Sequence, residues 1–164
     1  MVAVWNAEPL ADLAARCQAL RQHPPRRRIA LINGCFDVLH PGHVLMIQDA
    51  ASRCDVLVVA IDTDGQVHAL KGRDRPLRSW AERAFMVASI RRVFGVVSLG
   101  EGQALATVLA AIKPDLYMHR AGAPQAELDA ATALAVELVE LPAHGHWSTT
   151  RELTRWEERR RDLR

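Results

Sequence analysis

A chain of 164 residues, 49% hydrophobic and 24% charged, holds one domain with a proper core and is too short to expect two. Its net charge of +2 gives no global reason for a nucleic-acid or anionic-membrane partner. The three cysteines, Cys17, Cys35 and Cys54, form no C-x-x-C pair, which argues against a disulfide framework or a structural zinc site and fits a reducing cytosol.

Residues 1–8 lack the basic and apolar regions of a signal peptide. No apolar run approaches the roughly 20 residues that span a bilayer. The expectation is a cytoplasmic domain with neither membrane nor nucleic acid as partner. Residues 8–22 predict an amphipathic helix with Leu10, Leu13, Ala14, Cys17 and Leu20 on one face. Pro24-Pro25 ends it, so 1–25 read as an N-terminal helical extension ahead of a domain over 26–164. Arg26-Arg27-Arg28 reads as a solvated approach to the first strand.

Ile29-Ala30-Leu31-Ile32 predicts a buried parallel strand. It runs into Asn33-Gly34-Cys35-Phe36-Asp37-Val38-Leu39-His40-Pro41-Gly42-His43, and residues 44–51 read as a helix. Pro41 suits a first helical position, where its missing N–H leaves no bond unmade. His40 and His43 thus flank a helix N-terminus, three residues apart, close enough for both rings to face one site. Such a terminus suits an anion such as phosphate. Two other readings of the pair stay open on these residues: structural histidines, or zinc ligands completed by His144, His146 or Cys35.

Residues 55–61 predict a second buried strand, closed by a turn at Asp62-Thr63-Asp64-Gly65. A basic connection over 71–78 follows. Ser79 and Glu82 have capping-box spacing and open a helix carrying Ala84, Phe85, Val87, Ala88 and Ile90 that ends near Val93. Strands are expected over 95–99, 115–118 and 136–141, and helices over 103–112 and 127–134. Thr149 and Glu152 repeat the capping-box spacing before a last helix, whose tail of mixed charges reads as solvated. Alternating strands and helices of these lengths give an α/β fold, a doubly wound parallel sheet of Rossmann-like type. Ligands in such sheets sit beyond the carboxyl ends of the strands, where the 33–43 stretch lies.

Gly34-Cys35-Phe36-Asp37 followed by His40-Pro41-Gly42-His43 resembles the G-x-F-D and H-x-G-H motifs of the cytidylyltransferase-like nucleotidyltransferase superfamily. Leu70-Lys71-Gly72-x-x-Arg75-Pro76 is similar to the phosphate-binding loop of its heptose 1-phosphate adenylyltransferases (ADP-heptose synthases). Glu82-Arg83, with Arg92-Val93, resembles the E-R helix of that group and of glycerol-3-phosphate cytidylyltransferases. Ser148-Thr149-Thr150 resembles the S-T-T that opens the last helix in both. The correspondence runs over about residues 29–153 with the motifs in family order.

The resemblance implies a nucleotidyltransferase fold and transfer of a nucleoside monophosphate from an NTP to a small phosphorylated acceptor. ATP with a sugar 1-phosphate is favoured over CTP with a polyol phosphate, and a nucleotide-binding protein without turnover is the remaining alternative. Magnesium would arrive with the nucleotide, with no dedicated metal site on the chain, and a homodimer is implied. His40, His43 and Lys71 are the implied catalytic groups. Asn33, Gly34, Cys35, Phe36, Asp37, Gly42, Arg75, Arg83, Ser148, Thr149 and Thr150 are the implied nucleotide-binding residues, with Asp37 near the reacting centre or helping to place magnesium. Asp37, Lys71, His119 and Arg120 are the implied acceptor-binding residues. One departure stands out. Where the heptose enzymes read V-K-G-G-D-Y, this chain has Met118-His119-Arg120-Ala121-Gly122-Ala123-Pro124, which puts basic groups but no acid beside the acceptor. Trp147, just before the S-T-T, suits either stacking on a base or packing.

Overall fold

A strand that is apolar at every position needs cover on both faces, and β1 (Ile29–Gly34) and β2 (Val56–Asp62) have it. The computed structural model describes residues 8–100, 104–145 and 147–162. In it these strands join β3 (Val93–Leu99), β4 (Leu116–Arg120) and β5 (Glu137–Leu141) in one parallel sheet of order β3-β2-β1-β4-β5. Register runs from Ile29 opposite Val56 to Gly34 opposite Ile61, while Ala30 and Leu31 face Leu116 and Tyr117.

Successive side chains point to opposite faces, which splits the core in two. Ala30, Ile32, Leu57, Val59 and Met118 pack with α2 (Pro41–Ser52) and α4 (Trp80–Ala88). Ile29, Leu31, Val58 and Tyr117 pack with α1 (Leu10–Gln22), α5 (Leu105–Ile112) and α6 (Gln125–Ala133). The sheet is therefore doubly wound and Rossmann-like. Among the described residues no helix is long and apolar enough to cross a membrane.

Helix α1, expected as an extension, lays Leu13 and Cys17 fully into the second core. Gly95 on β3 leaves the notch for it, since a Cβ there would overlap the Leu13 side chain. The stretch after β2, expected as a turn and loop, instead contains α3 (Asp64–Lys71). Thr63 caps it by accepting from Gln66 N–H at 3.3 Å, and only Val67 is buried. A helix of eight residues with one core residue shows almost no apolar periodicity, so only the T-x-x-Q spacing marks its start. The capping box of Ser79 and Glu82 forms as expected at the head of α4. That helix stops at Ala88, earlier than expected, and Arg92 turns the chain with φ at 77° into a strand that starts at Val93. Ala84 and Val87 are buried, whereas Phe85, expected on the core face, is half exposed.

Leu13→Ala is expected to cost about 2–5 kcal/mol, the range for opening a cavity at a fully buried leucine. Equilibrium urea unfolding measures it; a loss near zero would show α1 to be peripheral.

Candidate functional site

The chain lays β2 and β3 on one side of β1, then crosses to place β4 and β5 on the other. The carboxyl ends of β1, β2 and β4 consequently open on one cleft of about 260 Å³. Asn33, Gly34, Cys35 and Phe36 line it from the end of β1, His43 from α2, Lys71 from the end of α3, and the 118–124 loop closes the far side with His119 and Arg120.

His40 is the N-cap of α2, and its side chain makes no capping hydrogen bond. The helix thus begins without the Ser, Thr, Asp or Asn oxygen that usually meets its first N–H groups, so its positive end carries no side-chain cap. The His40 and His43 rings stack, with centroids 3.8 Å apart and planes inclined by 17°. Phe36, with φ at 48°, lies 5.2 Å from the His43 ring and is buried beneath it. Nδ1 of each imidazole is buried without a well-formed hydrogen bond. Burial, then the neighbouring His40 and the cations Arg120 and Lys71, push His43 down to about 3. Burial also lowers His40. Both rings are therefore neutral near pH 7, and each can offer one N–H donor in place of a fixed positive charge.

Gly42 lies between the histidines because nothing larger fits. A Cβ there would come within 2.8 Å of Trp147 Cβ and 3.1 Å of the His40 ring. The segment leading into α7 (Thr149–Asp162) is thus laid directly on the start of α2.

Three expected ligand residues are held by contacts within the protein. Asp37 has a carboxylate with no exposure: it pairs with Arg75 and accepts from Leu77 N–H at 2.7 Å and Arg78 N–H at 3.2 Å. It holds the basic loop, and its carboxylate is fully buried in this arrangement. Arg75, expected on the nucleotide phosphates, is drawn onto that carboxylate and does not line the cleft. Arg83 is fully buried. Its guanidinium donates to the Cys35 carbonyl, to the Asp62 carbonyl at 2.7 Å, to the Arg78 carbonyl at 3.1 Å and to Asp64 Oδ1 at 2.8 Å. It ties the ends of β1 and β2 together, and no donor reaches the cleft. Cys35 donates its thiol to Asp62 at 3.0 Å, and burial with that carboxylate pushes it up to about 11, so it stays protonated and unreactive.

The cleft also has an acidic side that the motifs did not announce. Asp62, nearly buried at the end of β2, and Glu127, on α6, both line it. Burial raises Asp62 above the usual carboxylate range, and the charge of Glu127 adds to the shift. Asp62 was legible as a polar residue at the carboxyl end of a strand next to β1, but its turn-forming neighbours pointed to a loop. Glu127 had no sequence signal, because only the packing of α6 brings it to Asn33.

A second, smaller cleft of about 160 Å³ lies beside the first and shares Met46, Arg120 and Ala121 with it. His40, Pro142, His144 and Trp147 line it. At its edge Ser148 caps α7, its Oγ accepting from Arg151 N–H at 3.3 Å. The cap is thus one residue earlier than the Thr149–Glu152 spacing suggested. Thr149 is buried in the first turn, and the Thr150 side chain and His146 lie outside the described residues. Among the described residues no group of three or more His, Cys, Asp or Glu is arranged to hold a metal ion.

The chain is similar to known proteins over most of its length. The Cytidylyltransferase-like family matches residues 31–159. The protein named bifunctional protein HldE from Acidiphilium cryptum is 41% identical over 136 residues, covering 78% of this chain and 27% of that protein. Its namesake from Azorhizobium caulinodans is 40% identical over 142 residues, covering 85% of this chain and 26% of that protein. The chain therefore spans about a quarter of the length of these relatives. A lipopolysaccharide core biosynthesis protein from Thermoplasma volcanium shares the fold, with a TM-score of 0.63, 22% identity and coverage of 72% of this chain and 98% of that one. Pantoate-beta-alanine ligase from Francisella tularensis shares it too, with a TM-score of 0.56, 13% identity and coverage of 85% and 67%.

The depressed His43 predicts a pH dependence of stability. Between its folded value of about 3 and its ordinary 6.5, the unfolded chain binds a proton that the folded chain does not. Its contribution is complete above pH 6.5 and is lost as pH falls towards 3. Urea unfolding across that window should show stability falling with pH, with a shallower fall for His43→Asn; equal slopes would refute the burial of a neutral ring.

Proposed function

Because the chain belongs to the cytidylyltransferase-like family, we propose that it transfers AMP from ATP to a sugar 1-phosphate, such as a heptose 1-phosphate, and releases pyrophosphate. The observation that carries this reading is the stacked, neutral His40–His43 pair at an uncapped helix N-terminus, with His43 facing the larger cleft and His40 the smaller.

The chemistry follows from that position. An oxygen of the acceptor phosphate attacks the α-phosphorus of the nucleotide, a new P–O bond forms, and the bond to pyrophosphate breaks. The acceptor is already an anion at neutral pH, so no side chain has to activate it, and catalysis is positioning and charge stabilisation. Neutral imidazoles do this as donors whose hydrogen bonds strengthen as negative charge grows on the nonbridging oxygens. Lys71 and Arg120 supply fixed positive charge at the larger cleft. The N-terminus of α7, with Ser148 and Thr149, adds a second positive helix end beside His40.

The two clefts suit the two substrates. The smaller, walled by Trp147 and Pro142, fits a flat base, and the larger, with carboxylates and cations together, fits a phosphorylated and hydroxylated acceptor. Magnesium enters as counter-ion of the triphosphate and screens its charge. Asp37 would meet the ion only if its pair with Arg75 opened.

Pyrophosphate release from ATP and CTP, each with a panel of sugar 1-phosphates and polyol phosphates, tests the reading. Release with ATP and a sugar 1-phosphate is the expected result. Release with CTP alone would move the assignment to a cytidylyltransferase, and nucleotide binding without any release would refute transfer. His43→Ala is expected to lower kcat by about 100- to 1000-fold, the range for losing one transition-state donor, with the circular dichroism spectrum unchanged. A near-normal rate would remove His43 from the mechanism.

A further inference from the structure

The acidic side of the larger cleft is more ordered than a chance pair of carboxylates. Glu127 Oε1 accepts from Asn33 Nδ2 at 3.1 Å, and Oε2 accepts from the Tyr117 hydroxyl at 2.7 Å. That hydroxyl also lies 2.8 Å from Asn33 Oδ1, and Tyr117 is fully buried. The three groups come from β1, β4 and α6, so the carboxylate is fixed by charge-assisted bonds to elements that do not move independently. These bonds use about half of the roughly four acceptor positions of a carboxylate, leaving the others for whatever occupies the cleft that Glu127 lines. Lys71, His119 and Arg120 line the same cleft, which thus holds fixed negative and positive groups together.

We propose that Glu127, fixed by Tyr117 and Asn33, is a specificity-determining residue of the acceptor subsite: it accepts hydrogen bonds from neutral sugar hydroxyls and rejects acceptors with a second anionic group. The phosphate of the acceptor is drawn to Lys71 and Arg120 and repelled by Glu127, which sets the direction in which the acceptor lies. A carboxylate in place of a hydroxyl at the end remote from the phosphate meets a charge of its own sign that cannot turn away. Discrimination of this kind comes from the repulsive element as much as from the attractive one. The word acceptor rests on the nucleotidyl-transfer reading, but the discrimination itself is a property of binding and can be measured without turnover.

Calorimetric titration of the full chain with a hexose 1-phosphate and with the matching uronic acid 1-phosphate tests the proposal. The wild-type protein is expected to bind the neutral sugar about tenfold or more tightly, as one close like-charge contact near a protein surface would dictate. Glu127→Gln keeps the shape and can keep the bonds to Asn33 and Tyr117, and it should abolish the preference by tightening the uronic acid. Tyr117→Phe releases one side of the carboxylate and should narrow the preference while leaving inorganic phosphate binding unchanged. Thermal unfolding checks that each variant is folded, and Glu127→Asp serves as a charge-retaining control that keeps some preference. Equal binding of the two sugars by the wild type, no binding of either, or an unchanged preference in Glu127→Gln overturns the proposal. Loss of the preference in a protein that releases no pyrophosphate with any nucleotide would leave the proposal standing and refute nucleotidyl transfer. Release of pyrophosphate with the preference intact in Glu127→Gln would do the reverse.

Discussion

The site depends on one buried cation. Arg83 is removed from water entirely, and an unpaired guanidinium there would be prohibitively costly. It is tolerated because the chain surrounds it with three carbonyls and the Asp64 carboxylate. Those carbonyls belong to Cys35, Asp62 and Arg78, at the ends of β1 and β2 and on the loop before α4. Sheet hydrogen bonds stop where the strands stop, and Arg83 takes over from them. The stretch that carries Phe36, Asp37 and the histidines can then leave the sheet at a defined angle without a strand beside it. Asp37 works in the same direction from above, by holding Arg75 and two backbone amides of the basic loop. Asp37, Arg75 and Arg83, which look like ligand-binding groups in sequence, all brace the architecture.

What that architecture presents is a cleft of divided polarity. Neutral imidazoles at a helix N-terminus offer donors without the cost of a buried charge. Fixed cations stand around them on α3 and the 118–124 loop, and fixed carboxylates on β2 and α6. The division matters because nucleotidyl transfer brings two anions together. A uniformly basic cleft would hold both substrates without orienting either. A cleft with a negative wall leaves only some orientations accessible.

The fold was legible because its signals were redundant. Residues 29–32 and 56–61 are apolar at every position, and a strand of that kind can only be covered on both faces. Alternation with helices then leaves a parallel sheet. The His40 and His43 pair was legible because helix geometry brings residues three apart to one face. Helix α3 was not, because it is short and mostly solvated. The role of Arg83 was hidden for a different reason: a sequence shows a charge but not whether water or carbonyls surround it. Glu127 lay furthest from view. Its partners Asn33 and Tyr117 are 94 and 10 residues away, and no local spacing encodes the approach.

The contact between Gly42 and Trp147 links the start of the site to nearly the end of the chain. Residues 29–141 contain every strand of the five-stranded sheet, so the sheet can be complete without the segment after β5. The smaller cleft cannot be, because Trp147 and the turn before α7 form one of its walls. The segment after β5 completes the pocket, and the absence of a side chain at Gly42 is what lets it dock on the start of α2.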